Sequence, residues 1–289
     1  MTLREKLTYR CLRLLSAFFS RISNRSAVNL GSRIGSFIFR YVPLRKKEAF
    51  NHLEVAFPNR PESYYNRILQ KVYHHFAHEL LDLFRIDTLK FERIAFVSNH
   101  RCLIDAISEG KGIILLTGHL GNWEMIPWWL ASKGYEIYAL FRKLKNRGAD
   151  KFLFELRRQI GGFPLYAKTP PQKLLKILRD GKIVGLVSDQ DARRRGIFVK
   201  FFNTPTSTPK GAAIFHLKTG APLILGLCCR NRDGTYHLKF ERIPTEVEKG
   251  DAVSIITQRF TSRLEDEIRN HPEQYFWFHR RWKTKPPSI

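Results

Sequence analysis

The chain has 289 residues, 43% of them hydrophobic, with 22 Phe, 10 Tyr and 5 Trp; that composition supports one large core and excludes a disordered chain. Fifty Lys and Arg against 26 Asp and Glu give a formal net charge of +24. Such a surface seeks anions: nucleic acid, anionic lipid, phosphorylated substrates or an acidic carrier protein.

From the amino end, no run approaches the roughly 18 uninterrupted apolar residues of a membrane span. Leu3, Leu7, Cys11, Leu14, Phe18 and Ile22 recur at helical spacing on one face, interspersed with Arg4, Lys6, Arg10, Arg13, Arg21 and Arg25. A basic amphipathic helix of this kind lies in a membrane interface or docks on its own domain, and periodicity leaves both open. A second apolar run, Ile34 to Pro43 broken by Arg40, tilts the balance toward the membrane. A signal peptide needs a cleaner apolar centre than Leu14 to Ser20, which Arg13 and Arg21 bracket. Residues 1–60 are therefore expected to form a helical, membrane-associating region, ending at the breakers Pro58 and Pro61.

Pro61 to Arg85 reads as one long helix with apolar positions Tyr65, Ile68, Leu69, Val72, Phe76, Leu80 and Leu83. Short apolar runs then alternate with helical stretches. The expected strands are Ile113–Leu116, Ile137–Phe141, Ile183–Val187, Leu223–Cys228 and Tyr236–Phe240. The expected helices are Asn122–Ser132, Ala149–Ile160, Pro171–Arg179, Lys210–Lys218 and Ala252–Asn270. This alternation predicts an α/β domain over residues 61–289, with a mixed, largely parallel central sheet flanked by helices. The four cysteines, Cys11, Cys102, Cys228 and Cys229, include no C-x-x-C pair, which argues against zinc and disulfides and fits a reducing compartment.

Two stretches place a histidine five residues before a carboxylate: "NHRCLID", with His100 and Asp105, and "GHLGNWE", with His119 and Glu124. His119 follows the continuous apolar run Gly112 to Thr117, which reads as a strand buried on both faces, and glycines flank it at 118 and 121. Ligands of open α/β sheets bind outside the carboxyl ends of the strands. Glu124, in the first turn of the next helix, would reach back to one imidazole nitrogen and leave the other to take a proton from a hydroxyl. The helix start would offer backbone N–H groups to a developing oxyanion. "SNHRCLID" follows a shorter apolar stretch, Ile94 to Val97, contains no glycine and runs into a short helix, so His100 and Asp105 read as surface residues.

"LLTGHLGNWE" resembles the active-site block of the bacterial lipid A late (lauroyl and myristoyl) acyltransferases, within the lysophospholipid acyltransferase superfamily. "YALFRKLKNRGAD", "GLVSDQDARRRGIFVKFFNTPTSTPKGAAIFHLKTGAPLI" and "PEQYFWFHRRWKTKPP" resemble that family's later blocks in order and spacing, from about residue 3 to the end. "SNHRCLID" is similar to the N-H-x-S-x-x-D block of the glycerol-phosphate branch, with Cys102 at the Ser-like position, but no F-P-E-G-type block follows.

The resemblance implies transfer of a fatty acyl group from an acyl-carrier-protein or CoA thioester to a hydroxyl of a lipid A precursor, without a cofactor or metal. It implies His119 as general base and Glu124 as its orienting acid. It implies substrate contacts at Arg142, Asp189, Asn122 and one of Arg157 and Arg158, the register leaving those two open. The partners it implies are acyl carrier protein, the glycolipid and an anionic inner-membrane surface on the cytoplasmic face. On the residues alone, Arg142 also reads as a strand-end arginine, Asp189 as a turn aspartate and Arg193 to Arg195 as a solvated loop. "WFHRRWK" reads equally as an interfacial belt or a packed tail. No G-x-S-x-G elbow suggests a serine acyl-enzyme. Relatives that acylate phosphatidylinositol mannosides carry a similar block, so another glycolipid acceptor stays open. Nucleic-acid binding, raised by the charge, lacks any recognisable motif.

Overall fold

The computed structural model describes residues 1–42, 44–86, 88–89 and 95–287. Pro43, the end of the second apolar run, and Ile94, the start of the run before His100, lie outside the described residues. Among the described residues, seven strands form one sheet: β1 (Ala95–Ser98), β2 (Ile113–Thr117), β3 (Ile137–Phe141), β4 (Phe163–Tyr166), β5 (Ile183–Val187), β8 (Leu223–Arg230) and β9 (Tyr236–Arg242), in the order β1-β9-β8-β2-β5-β3-β4. From β8 to β4 all neighbours are parallel; β9 runs antiparallel to β8, and β1 is parallel to β9. The expected mixed, largely parallel sheet is therefore present. A separate hairpin joins β6 (Ile197–Phe201) to β7 (Thr204–Thr208).

Burial follows strand alternation. Ile113, Leu115, Ile137 and Ile183 share one core with α6 (Met125–Ser132) and α7 (Arg147–Gln159). Ile114, Leu116, Val184 and Leu186 face the other way, into a core with α8 (Pro171–Arg179), α9 (Gly211–Thr219) and α10 (Ala252–Asn270). The central strands are thus buried on both faces, which is why they read as unbroken apolar runs. α5 (His100–Ser108) lies between β1 and β2.

The amino-terminal helices pack on this unit. α1 (Leu3–Phe19) opens on a capping box of Thr2 and Glu5 and crosses α7 so closely that a Cβ on Gly148 would sit 2.0 Å from the Glu5 carbonyl. Its docking face carries Tyr9, whose hydroxyl donates to Glu155 at 2.6 Å, and Ser16, which donates to the Phe84 carbonyl at 2.8 Å; Leu12 and Phe19 pack against the core. The apolar stripe found in the sequence points the other way. Leu3, Leu7, Leu14 and Phe18 are 84%, 61%, 71% and 61% exposed, and Cys11 beside them is a free, exposed thiol.

α2 (Asn24–Tyr41) lies along α4 (Glu62–Phe84) through a small-residue seam. A Cβ on Gly31 or Gly35 would come within 2.3 Å of His78 or 2.6 Å of His74, and Ser32 and Ser36 hydrogen-bond those two imidazoles. α3 (Lys46–Ala56) buries Ala49, Leu53 and Ala56 against α4. No helix among the described residues is long and apolar enough to cross a membrane.

Candidate active site

The register of β2 and β5 builds the site. Thr117 pairs with Val187, and the chains run on side by side, the Ser188 N–H donating to the Thr117 carbonyl at 3.0 Å. Two residues past each strand, His119 and Asp189 therefore stand opposite one another. The Asp189 carboxylate, 3% exposed, accepts from His119 Nδ1 at 2.7 Å and from the His119 backbone N–H at 2.9 Å. This fixes the protonated tautomer at Nδ1 and leaves Nε2 as the acceptor, 3.2 Å from the side-chain amide of Gln190, which donates to it. The ring lies edge-on to Trp123, centroids 4.8 Å apart, with Phe276 at 6.0 Å.

Burial disfavours both charges, yet the pair outweighs it. Asp189 is desolvated, but the imidazole's charge and hydrogen bonds, with Arg281 nearby, hold its carboxyl down at about 2. Burial pulls His119 down while the Asp189 charge and hydrogen bond pull it up, for a net rise above the ordinary histidine value.

The loop that carries His119 is pinned by the carboxyl-terminal block. The Gly121 N–H donates to the Gln274 carbonyl at 3.0 Å, and the Phe276 N–H donates to the His119 carbonyl at 2.9 Å. Gly121 has φ +60°, and a Cβ there would meet the Cys228 carbonyl oxygen at 2.2 Å, so only glycine fits both demands. Tyr275, Trp277, Phe278 and Trp282 are buried in the core, and Arg281 donates to the Ser207 carbonyl and Thr208 Oγ1 at 2.6 Å each. The carboxyl-terminal aromatic–basic block is thus a packed tail rather than an interfacial belt.

Glu124 is not on the imidazole. It caps α6, which begins at Met125 rather than at Asn122, and its carboxylate accepts a two-pronged bond from Arg157: Nε at 3.0 Å to one oxygen, and a guanidinium N–H to the other. Arg157 also stacks over Phe141, 4.6 Å from the ring centroid. The expected Glu124–His119 contact yields to these two pairings, because a planar fork satisfies a half-buried carboxylate better than one imidazole N–H does. The helix start does not present its N–H groups as expected either: those of Met125 and Ile126 donate to the carbonyls of Asn122 and Trp123.

Among the other expected contacts, Arg157 lines the cavity described below, whereas Arg158 is exposed and does not line it. Arg142, just past β3, is exposed at the cavity mouth. Asn122 does not line the cavity. It is 4% exposed, its backbone N–H donates to the Cys228 carbonyl at 2.7 Å, and its amide donates to the Tyr236 hydroxyl at 3.3 Å. Tyr236 in turn donates to Asp82, which Arg85 and Arg230 flank at 3.7 and 4.0 Å. Asn122 therefore belongs to a buried network behind the site. Arg193 to Arg195 form one exposed 3-10 turn.

His100 and Asp105 do not meet. His100 packs edge-on against Trp129 at 5.2 Å, and Asp105 lies on the solvent face of α5, 4.0 Å from Arg101. Sequence reasoning missed Gln190 and Asp150. Asp150 is 5% exposed and accepts from the Leu144 N–H at 2.8 Å and the Tyr166 hydroxyl at 2.7 Å; Asn146 caps α7 through the N–H groups of Gly148 and Ala149. Together they shape the loop after β3, and the Asn-x-x-x-Asp spacing before a helical run was the available signal.

His119, Glu124, Gln190, Arg142 and Arg157 surround one end of a mostly apolar cavity of about 590 Å³. Its walls come from both sides of the sheet: Leu115, Ile126, Ile137, Ala139 and Leu153 on the α6–α7 side, Leu140, Leu174, Leu186, Ala212 and Phe215 on the α8–α9 side. A partly buried base whose acceptor nitrogen holds the Gln190 amide, beside an apolar cavity of this size, suits proton abstraction from the hydroxyl of a reactant carrying a long hydrocarbon once that amide is displaced.

A family profile described as "Bacterial lipid A biosynthesis acyltransferase" matches residues 13–284. The chain is 28% identical over 211 residues to a phosphatidylinositol mannoside acyltransferase of Mycobacterium tuberculosis, covering 70% of this chain and 66% of that protein, so it spans just under two thirds of that relative's length. It is 24% identical over 267 residues to the lipid A biosynthesis lauroyltransferase of Escherichia coli, covering 90% and 86% of the two chains. Against the lipid A biosynthesis palmitoleoyltransferase of the same organism the identity is 22% over 274 residues, covering 89% and 85%.

Proposed function

The chain belongs to the bacterial lipid A biosynthesis acyltransferase family, and from that premise we propose that it is a membrane-associated O-acyltransferase that moves a fatty acyl chain from an acyl-carrier-protein or CoA thioester to a hydroxyl of a lipid A precursor. The observation that carries this reading is the His119–Asp189 pair at the mouth of a long apolar cavity.

In the proposed reaction the acceptor hydroxyl displaces Gln190 from His119 Nε2. Its oxygen attacks the thioester carbonyl as Nε2 takes its proton, and Asp189 stabilises the imidazolium. The tetrahedral intermediate collapses with cleavage of the C–S bond, and the proton passes from Nε2 to the departing sulfur. A positioned base of this kind contributes about 10²–10⁴-fold. Glu124 acts by holding Arg157 in the cavity wall, where Arg157 and Arg142 face the anionic groups of substrate or carrier.

The outward stripe Leu3, Leu7, Leu14 and Phe18, with exposed Arg4, Arg10 and Arg13 beside it, supports a helix lying in an anionic membrane surface, on the cytoplasmic face of the inner membrane. The net charge of +24 supports attraction both to that surface and to an acidic carrier. The match to the mycobacterial enzyme favours one second reading, a phosphatidylinositol mannoside-like acceptor.

The test is direct. Membranes containing the protein are supplied with lauroyl or myristoyl thioesters of acyl carrier protein and of CoA. One arm receives tetra-acylated lipid A precursor and the other a phosphatidylinositol mannoside, and glycolipid mass is followed. Gain of one acyl chain on the first acceptor, lost in His119→Ala, is the expected result. Gain only on the second selects the second reading, and no gain on either refutes the assignment.

A further inference from the structure

One row of the cavity wall has two small residues, Gly185 and Ala139, at its middle. Across the sheet, Leu115 pairs with Gly185, Gly185 with Ala139 and Ala139 with Pro164, and all four residues line the cavity. The row nearer the His119 end carries Thr117, Val187 and Phe141, and the row farther away carries Ile183 and Ile137, of which Ile137 still lines the cavity. The β3–β5 ladder also stops at the Ala139–Gly185 pair. Gly185 has no positive φ, so its backbone conformation does not require glycine. A Cβ there would find Ile137 Cδ1 at 3.4 Å, Ala139 Cβ at 3.5 Å and Ala139 Cα at 3.6 Å, all ordinary contacts. What a larger residue at 185 would do is fill the cavity.

We propose that Gly185 sets the longest acyl chain that the donor site accepts, because the cavity floor there is the Ile137 side chain lying against bare backbone, and any side chain at 185 would raise that floor. This rests on the acyltransferase reading above. Ile137 supplies that floor, so shortening it deepens the cavity at the same place.

The experiment compares the full chain with Gly185→Ala, Gly185→Leu and Ile137→Ala. Each receives an equimolar mixture of decanoyl, lauroyl, myristoyl, palmitoyl and stearoyl thioesters, in one arm on acyl carrier protein and in the other on CoA, with the acceptor identified above, and products are counted by mass. Gly185→Leu lowers the ratio of the longest chain the parent transfers to the shortest by about tenfold or more, the factor carried by only two buried methylenes. Gly185→Ala gives a smaller shift in the same direction, and Ile137→Ala shifts the profile toward longer chains. A Gly185→Leu profile that matches the parent's, or that falls equally for every chain, overturns the proposal. Should Gly185→Leu fail to fold by circular dichroism, the opposite shifts of Gly185→Ala and Ile137→Ala decide, and their absence overturns it. A parent that transfers no thioester refutes the acyltransferase reading itself, and the proposal falls with it; a parent that turns over with unmoved profiles removes this proposal alone.

Discussion

Replacing Asp189 with asparagine tests the central pairing. The carboxylate accepts two N–H groups of His119, from Nδ1 and from the backbone. An asparagine has one carbonyl oxygen, so one of those donors would face an NH₂ instead. The lost charge-assisted bond is worth about 1.5–3 kcal/mol. All of that loss falls on the imidazolium formed in the transition state, so kcat for acyl transfer should drop by about 10–10²-fold with little change in KM.

The pH profile gives a second, independent sign. Asp189 raises the His119 pKa, so removing its charge lowers that pKa and moves the acid limb of kcat/KM to lower pH. Stability changes too. The folded Asp189 sits at about 2 against an ordinary 3.8, a difference worth about 2 kcal/mol. That contribution is fully present above pH 3.8 and fades as pH falls toward 2, so parent and variant should differ most in melting temperature at neutral pH and converge in acid. Glu124→Gln is the control: the Glu124 charge raises His119 less than Asp189 does, so it should move the acid limb less than Asp189→Asn while raising KM through a misplaced Arg157. If Glu124→Gln moves the acid limb and Asp189→Asn leaves both limb and kcat untouched, the base is oriented by Glu124 and the pairing argued here is wrong.

Other perturbations follow from single contacts. His119→Ala should abolish transfer and also lower the melting temperature, because it leaves the buried Asp189 carboxylate without its imidazole partner, whereas His100→Ala should leave kcat within a factor of about two, since His100 only packs on Trp129; equal losses of transfer in the two would undo the choice of histidine. Gly121→Ala should cost about 1–3 kcal/mol in urea denaturation, because φ +60° and the Cys228 carbonyl both oppose a Cβ, and an unchanged midpoint would contradict the close approach. Glu79 is 9% exposed, and burial with nearby Asp82 holds its carboxyl well above the usual range. The unfolded chain ionises Glu79 above about pH 4.5 and the folded chain only at higher pH, so Glu79→Gln should raise the neutral-pH melting temperature, with the gain vanishing near pH 4. A gain that persists in acid would mean the effect is packing. Leu7→Asp together with Leu14→Asp should weaken binding to anionic vesicles by about tenfold or more while leaving the melting temperature in place, since both side chains are exposed. Unchanged cosedimentation would show that the α1 stripe does not contact lipid.

Much of the fold was legible because the central strands are buried on both faces. β3, β5, α8 and α10 fall where the apolar runs and helical periods put them, to the residue. The elements that escaped lack that signal. β4 is only four residues, "FPLY", with a proline in it, on the outer edge of the sheet. The β6–β7 hairpin turns through Phe202 and Asn203, both at positive φ, without the glycine that usually marks such a turn. For α1 the helix and its stripe were legible but its docking was not. The helix holds on through Tyr9, Leu12, Ser16 and Phe19, a face no hydropathy period selects, and its apolar stripe is the part left outside.

The site shows where local spacing stops carrying information. His119 and Glu124 are five residues apart and looked like partners for that reason, but the loop between them turns sharply at Gly121 to meet Cys228, and Glu124 is delivered to α7. His119 finds its acid 70 residues away because β2 and β5 are parallel neighbours in a register that sets 117 against 187. Two strand ends side by side will always bring their following residues together, and a histidine on one with an aspartate on the other needs no further design. Both residues were singled out, His119 at a strand end and Asp189 as a substrate contact or turn aspartate; only their pairing was hidden, since strand order is not written in any one segment. The same register carries the small residues Gly185 and Ala139 across the sheet beneath them. In the chain-length proposal, the strand pairing that assembles the base also sets the depth of the cavity it serves.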